Sequence, residues 1–276
     1  MFKHTIRSAV VVAVLLGAAS ALVAAPTIST PTDNLFGWWL MGENATVTGD
    51  TINSIPDQVN GNTAVAQGDP QRAVGYPFDP YDGDSYDTYC DGTLDLVRVD
   101  FGTLPGSTPE TAPDGYSMSF WAKPELLNGR MPFYKLFGGA GFMWCMYETN
   151  GKFKLKMYNG VTVYESITTN VVLQADQWTH LVCVRDTADT GAIRIYADGV
   201  LAGETAGTGS ATMGGTGYLS IGAKGDGEFP TTGAIDDFRY YTEVLDVDEV
   251  AAIYNNGKGD FGLGTTPVAG TLIYGK

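Results

Sequence analysis

The carboxylates are the side chains of this sequence with the clearest potential for metal binding or hydrogen bonding. Asp236 is the most informative of them, because of its position in a predicted strand. In the stretch 234–241, AIDDFRYY, Phe238 and Tyr240 alternate with Asp236 in the two-residue period of a β-strand. This alternation predicts that Asp236 points to the core side of a sheet. A carboxylate there must be neutralised, hydrogen-bonded or bound to a metal ion. The residue is therefore a candidate metal ligand or a candidate loop cap.

A second group of acids lies in the segment 79–91, where tyrosines stand between aspartates. Its members are Asp79, Tyr81, Asp82, Asp84, Tyr86, Asp87, Tyr89 and Asp91. The segment does not have the spacing of an EF-hand loop, because Tyr86 stands where an acid is needed. A second metal site and a sugar-binding loop remain open alternatives. We favour an ordinary solvated surface loop.

A lysine stripe follows from the stretch 142–158, FMWCMYETNGKFKLKMY. Asn150-Gly151 predicts a hairpin with a two-residue type I′ turn, which pairs Tyr147 with Lys154. The apolar side chains expected to point inward are Trp144, Met146, Phe153, Leu155 and Met157. The side chains expected on the other face are Cys145, Tyr147, Lys152, Lys154 and Lys156. This face could bind an acidic polysaccharide or the carboxylates of a partner protein. Alternatively, the lysines could only prevent an edge strand from pairing with another chain.

Histidine chemistry is scarce in this chain. Of the two histidines, only His180 lies beyond the apolar leader, inside a core-like strand. This excludes histidine-based zinc clusters and leaves a Ser-His-Asp triad with one poorly placed base. The G-x-S-x-G, H-E-x-x-H and Walker P-loop motifs are also missing. The sequence predicts no catalytic residue.

Composition places these residues in a folded, acidic, turn-rich protein. The 276 residues carry a formal net charge of −15, so non-specific binding to nucleic-acid phosphates has no electrostatic basis. Glycine is abundant at 36 residues while hydrophobic content is an ordinary 44%. Residues 1–25 have the basic start, apolar run and small-residue end of a secretory signal peptide. No second segment is apolar enough to span a membrane, so we expect an exported mature chain that is soluble or is attached by something other than itself.

Short apolar runs separated by Gly, Asp, Asn and Pro predict an antiparallel β-sandwich. Asp198-Gly199 predicts a second hairpin in which Tyr196 meets Leu201. One short helix is expected near the end, with Asp246 and Glu249 as a capping box. No internal repeat is visible. Because the export route permits disulfides, Cys145 and Cys183, both expected to face outward, could pair, and the odd count leaves Cys90 over.

These elements resemble, in this order, the laminin-G-like jelly roll of the concanavalin A-like lectin and glucanase superfamily, in its bacterial secreted branch. The most specific stretch is GAIDDFRYYTEVLDVDEVAAIYNNG at 233–257, an Ile-Asp-Asp strand followed by a capped helix. Other matching stretches are LFGWWLMGE at 35–43, CDGTLDLVRV at 90–99, YSMSFWAKP at 116–124 and QWTHLVCVRD at 177–186. The resemblance implies two packed antiparallel sheets, extracellular placement and glycan or protein binding.

The resemblance also implies a structural calcium ion and where its ligands would lie. The expected ligands are Asp57, Asn60, Asp91 and Asp236. The exposed face and loops of this fold offer a candidate carbohydrate-binding set of Tyr147, Tyr158, Tyr164, Tyr81, Tyr86, Lys154 and Lys156. Tyr147 is the first choice among them. Glycoside hydrolases of the superfamily carry a Glu-x-Asp-x-Glu strand, which is not found here.

We therefore expect a jelly roll over 34–260, after a linker at 26–33 and before a tail or closing strand at 261–276. The favoured function is a secreted or cell-surface, non-catalytic module, with the periplasm as an alternative location. Its expected partner is an extracellular glycan or a surface or matrix protein. Two alternatives stay open: a self-assembling surface or matrix subunit, and a glycoside hydrolase of the same fold.

Overall fold

The computed structural model of the chain describes residues 31, 33–74, 86–101, 115–137, 141–158, 163–167, 170–187, 192–206 and 217–257. Residues 163–167 and 256–257 are described by their backbone alone. The predicted signal peptide at 1–25 and the predicted tail at 261–276 lie outside these residues, as does Tyr81.

Seventeen strands and one helix make up the described part of the chain. The first nine strands are β1 (Leu35–Trp39), β2 (Thr46–Thr48), β3 (Thr51–Ile55), β4 (Ala64–Gln67), β5 (Gln71–Val74), β6 (Tyr86–Asp91), β7 (Leu96–Phe101), β8 (Gly115–Pro124) and β9 (Arg130–Leu136). The others are β10 (Phe142–Tyr147), β11 (Phe153–Tyr158), β12 (Val163–Ile167), β13 (Thr179–Asp186), β14 (Ala192–Ala197), β15 (Val200–Thr205), β16 (Gly217–Ile221) and β17 (Thr232–Tyr241), followed by helix α1 (Val247–Gly257).

The strands form two antiparallel layers. The first layer runs β2-β3-β4-β7-β16-β9-β10-β11-β12. The second layer runs β5-β6-β17-β8-β13-β14-β15, with β1 beside the second half of β17. A single pair, Thr51 with Gln71, joins the layers between β3 and β5. The predicted all-β, two-sheet sandwich with one short helix is confirmed.

Aromatic rings from both layers meet in the core. Phe120 of β8 lies 5.6 Å from Phe133 of β9 and 6.4 Å from Phe153 of β11, measured between ring centroids. Phe238 of β17 lies 5.7 Å from Phe133. Because these contacts join strands that are not hydrogen-bonded neighbours, they hold the layers face to face, and edge-to-face packing adds to the burial energy.

Helix α1 covers the outer face of the second layer. Val250 and Ile253 pack with Val182 and Val184 of β13 and Tyr196 of β14 in a separate apolar cluster. The capping box forms as predicted: the Asp246 amide donates to Glu249 Oε2 at 2.8 Å, and the Glu249 amide donates to Asp246 Oδ1 at 2.9 Å. The helix therefore covers β13 and β14 on this face.

The second hairpin is also confirmed. Asp198 and Gly199 both have positive φ, 49° and 79°, as a type I′ turn requires. Tyr196 pairs with Leu201.

Candidate functional site

The hairpin between β10 and β11 has a register different from the predicted one. The Glu148 amide donates to the Lys152 carbonyl at 2.8 Å, and the Gly151 amide donates to the Glu148 carbonyl at 2.9 Å. The loop therefore has three residues and ends on Gly151 with φ +76°, the bulged turn that is common after two-residue loops. Tyr147 consequently pairs with Phe153, not with Lys154.

This one-residue slip exchanges the faces of β10, because side chains alternate along a strand. Tyr147 is fully buried against Phe153, and burial raises the pKa of its hydroxyl well above the usual range. The expectation that Tyr147 is exposed for sugar binding is therefore wrong. Trp144 and Met146, predicted inward, lie instead on the partly exposed outer face.

A row of aromatic rings crosses that outer face. Tyr218 of β16, Tyr134 of β9, Phe142 of β10 and Tyr158 of β11 follow one another across four adjacent strands. Ring centroids are 5.8 Å apart for Tyr218 and Tyr134, 5.9 Å for Tyr134 and Phe142, and 5.3 Å for Phe142 and Tyr158. We call these four residues the aromatic row. With neighbouring strands 4.7–4.9 Å apart, the row is about 15 Å long.

Basic side chains border the aromatic row. Lys156 Nζ lies 5.6 Å above the indole of Trp144, and the Arg98 guanidinium lies 3.9 Å above the ring of Tyr218. Arg98 Nε also donates to Asp100 Oδ1 at 2.8 Å, and Lys154 pairs with Glu148 at 2.9 Å. The carboxylates beside the row are thus each engaged by a cation.

The structure brings together three of the predicted carbohydrate-binding residues. Tyr158, Lys154 and Lys156 share the outer face of β11. Tyr86 lies on β6 in the other layer, with the Arg72 guanidinium 4.3 Å above its ring. Tyr164 pairs with Met157 in the strand register, and its side chain lies outside the described residues.

Sequence reasoning missed Tyr134, Phe142 and Tyr218. Phe142 stands in a strand of alternating burial, whereas the strand of Tyr134, RMPFYKL, has no alternation of apolar residues. The place of Tyr218 beside Tyr134 could not be predicted from the sequence, because β16 pairs with β9 although the two strands are far apart in the chain.

The predicted calcium ligands do not come together. Both oxygens of Asp57 are occupied as a loop cap: Oδ1 accepts from the amides of Trp38 and Val59, and Oδ2 accepts from the amides of Asn60 and Asn62. The Asn60 side-chain amide donates to the Phe36 carbonyl, and Asp91 accepts from Thr93. Among the described residues, no three His, Cys, Asp or Glu side chains are close enough to hold a metal ion. The residues seen do not fit the expected site.

Asp236 is buried, but not on the predicted side of its sheet. Its partner across the ladder is Trp121, whose neighbours Phe120 and Ala122 point into the core, so Asp236 lies on the opposite face. The cause is a β-bulge at Asp236 and Asp237, with φ +47° at Asp237, which reverses the alternation before Phe238.

Buried acids gather on that outer face of the second layer. Glu43 Oε2, Asp87 Oδ1 and Asp236 Oδ2 have no hydrogen-bond partner in the part of the chain described. Burial raises the pKa of Glu43 to about 8 and that of Asp87 to about 7, and it also raises the pKa of Asp236 well above its usual range. Repulsion among the carboxylates adds to these shifts for Glu43 and Asp236.

These raised pKa values predict that folding stability falls as pH rises from about 4.5 to about 8. Over this window the unfolded chain loses the Glu43 proton while the folded chain keeps it, so ionisation favours unfolding. The contribution is complete below the ordinary pKa of 4.5 and is lost as pH approaches 8. Urea denaturation in a chelating buffer at several pH values measures the slope. We expect Glu43→Gln to flatten it, while Asp50→Asn, at an exposed turn, should leave it unchanged. A Glu43→Gln slope equal to that of the wild type would contradict the assignment.

The three cysteines are free, buried thiols. Cys145 and Cys183 both point into the core, so the prediction that they face outward is wrong. Their thiols are in hydrogen-bonding contact across the two layers. The structure contains no bond between them, and the disulfide stays a prediction.

His180 is buried in the second layer. One ring nitrogen, Nε2, lies 2.8 Å from Ser119 Oγ, and the ring packs 5.1 Å from the ring of Trp121. Burial lowers the pKa of His180 to about 3, so the imidazole is neutral at physiological pH. Its enclosed position agrees with the prediction of a poorly placed base.

Comparison with known proteins gives the family of this chain. The family model described as concanavalin A-like lectin/glucanases superfamily matches residues 100–251, more than half of the chain. The chain belongs to this superfamily. Its jelly-roll architecture is therefore the fold that the superfamily uses. No curated protein sequence matches the chain.

Solved structures of lectin-like domains share this superfamily fold. Domain 4 of an extracellular arabinanase from Geobacillus stearothermophilus, in complex with arabinotriose, has a TM-score of 0.59 and 18% identity over 80% of this chain and 98% of that domain. The ligand-binding domain of botulinum neurotoxin serotype D, in complex with N-acetylneuraminic acid, has a TM-score of 0.55 and 13% identity over 81% of this chain. The chain spans about half (51%) of that toxin domain.

A Trypanosoma rangeli sialidase in complex with the inhibitor DANA is also similar. It has a TM-score of 0.56 and 12% identity over 83% of this chain and 34% of the sialidase. Similarities at these identities establish the fold alone. Because binding domains and a glycoside hydrolase share it, the fold leaves catalysis undecided.

No helix in the described ranges is both long and apolar enough to cross a bilayer.

Proposed function

We propose that this superfamily member is an exported, non-catalytic carbohydrate-binding module whose ligand lies along the aromatic row. The carrying observation is the continuous line of Tyr218, Tyr134, Phe142 and Tyr158 on the outer face of the first layer, in which Tyr134 is buried and the other three rings are partly exposed. Aromatic rings pack against the C–H faces of sugars, while nearby polar groups satisfy the hydroxyls. A row about 15 Å long suits an oligosaccharide better than a single sugar.

The borders of the row support binding over hydrolysis. Hydrolysis needs a carboxylic acid and a carboxylate ~5 to 9.5 Å apart across the bond that is cleaved. Three described acids beside the row, Asp100, Asp226 and Glu148, are held by Arg98, Lys224 and Lys154 respectively. The same pairs leave the face without a strong excess of positive charge, which favours a neutral or weakly acidic glycan. The sugar complexes of the arabinanase domain and the neurotoxin domain are consistent with this use of the fold.

Replacing aromatic side chains at the row tests the proposal. We expect Tyr158→Ala and Trp144→Ala each to weaken binding of the best ligand from a glycan panel by about tenfold, or ~1.4 kcal/mol, because each substitution removes a stacking surface. Titration calorimetry measures the change. Tyr86→Ala is the matched control, since it removes a partly exposed tyrosine from the other layer, and its affinity should equal that of the wild type.

Three outcomes would overturn the proposal. Full affinity in both Tyr158→Ala and Trp144→Ala would place the glycan elsewhere. Sedimentation of the wild type as large species without sugar affinity would favour the self-assembling subunit. Glucan hydrolysis that is lost on changing one acidic pair would favour the glycosidase.

The structural calcium ion stays a prediction. An ion bound by the native state alone raises the melting temperature. We therefore expect a higher midpoint in calcium than in chelator if the ion is part of the module. Equal midpoints would remove calcium from the proposal without affecting the aromatic row.

A further inference from the structure

A small pocket opens on the outer face of the second layer, on the opposite side of the sandwich from the aromatic row. Its volume is about 90 Å³. Asp87 and Tyr89 of β6 form one wall, Lys123 and Glu125 from the end of β8 form another, and small residues of β5 and β17 form the floor. At ~30 Å³ per water molecule, the pocket has room for about three water molecules. It can therefore hold a small polar group but not a whole sugar ring.

Asp87 gives this pocket an unsatisfied acceptor. The side chain is 3% exposed, and its Oδ1 has no hydrogen-bond partner within the described part of the chain. A buried carboxylate that lacks part of its hydrogen bonds is costly, and a cation placed in the pocket beside it would reduce this cost. The raised pKa of Asp87 has the same cause, since burial outweighs the opposing effect of Lys123.

The charges around the pocket favour a cation. The lining contains two acidic side chains, Asp87 and Glu125, and one basic side chain, Lys123. Repulsion from Asp87 acts on the pKa of Glu43 and of Asp236, which lie behind the wall. The Tyr89 hydroxyl donates to Glu125 Oε2 at 3.2 Å and so orients the second carboxylate.

The same groups favour an ammonium ion over a divalent metal ion. No three acidic, histidine or cysteine side chains of the described segments converge closely enough to bind a metal, and Lys123 stands in the wall. An ammonium group needs fewer ligands, because its three N–H donors can meet two carboxylates and a water molecule. The partly exposed ring of Tyr89 offers an apolar surface beside them.

We propose that this pocket binds the ammonium group of an amino sugar, as a second glycan contact on the face opposite the aromatic row. The choice of a sugar as the carrier of the ammonium group rests on the proposed function. The preference for a cation rests on the pocket itself.

Amide NMR shifts with three matched sugars test the pocket directly. D-Glucosamine should produce saturable shifts at Tyr89, Gly233 and Ala234. D-Glucose and N-acetyl-D-glucosamine, which lack the ammonium charge, should produce none. We expect Asp87→Asn to weaken glucosamine binding about tenfold, as for loss of a charged hydrogen bond, and Glu125→Gln to weaken it as well. Lys123→Met should strengthen it, because the competing cation is removed.

Three results would overturn the proposal: equal shifts with all three sugars, no effect of Asp87→Asn and Glu125→Gln in folded protein, or saturation by calcium chloride or L-lysine with no response to glucosamine. Failure of this site and failure of the proposed function are distinguishable. Tyr158→Ala should leave the glucosamine shifts intact. A glycan panel without any ligand would remove the aromatic row as a binding site while a glucosamine response would still support the pocket.

Discussion

Replacing Arg239 with methionine is expected to destabilise the fold by about 3–5 kcal/mol, the usual cost of leaving one partner of a buried ion pair alone. Arg239 and Asp237 are both about 2% exposed. The guanidinium donates from Nε to Asp237 Oδ1 at 2.9 Å and from Nη2 to Oδ2 at 2.8 Å. Without it, Asp237 still accepts from the indole N–H of Trp38.

The control for this substitution is the double variant Asp237→Asn, Arg239→Met. It removes both charges, so it should recover part of the stability lost in Arg239→Met alone, although Trp38 would then lose a charged acceptor and the cation above its ring. Urea denaturation of the three proteins measures the difference. A loss of less than 1 kcal/mol in Arg239→Met, or a double variant less stable than the single one, would contradict the argument.

Replacing Asp57 with alanine is expected to cost several kcal/mol, about 2–4, because one carboxylate satisfies four backbone amides. These amides belong to Trp38 of β1 and to the loop before β4, so the substitution frees the loop and the strand together. Thermal and urea denaturation measure the loss.

The same variant separates a loop cap from a metal ligand. If Asp57 is a cap, Asp57→Ala loses the same stability in calcium and in chelator. If it is a ligand, the loss is large in calcium and small in chelator. Asn53→Ala, in an exposed hydrogen bond with Thr48, is a control with a small expected effect. A calcium-dependent loss in Asp57→Ala would return this residue to the ligand set.

Local patterns predicted the elements of this protein reliably. The capping box of α1 and the Asp198-Gly199 turn each depend on residues three or fewer positions apart, and both form as predicted. The all-β class follows in the same way, from alternation within single strands. The predicted hairpin partners β10 and β11 also pair, although their turn is one residue longer.

The wrong assignments of faces on β10 and at Asp236 have one physical cause. A bulge or an extra turn residue shifts alternation by one position, and every side chain beyond it changes sides. At Gly151 this moved Tyr147 into the core, and at Asp237 it moved Asp236 to the outer face. Neither shift could be predicted from the residue types. Asn-Gly occurs in two-residue and three-residue loops alike, and Asp-Asp does not predict a bulge.

The sequence by itself determined the fold class, the helix, the Asp198-Gly199 turn and the presence of Lys154, Lys156 and Tyr158 on one strand face. Tertiary structure alone decided that Tyr134, Phe142 and Tyr218 join Tyr158 in a row, and that Asp87, Lys123 and Glu125 meet in a pocket. The reason is that both arrangements depend on which strands become neighbours. That order arises from packing two whole layers against each other, which no local stretch of residues encodes.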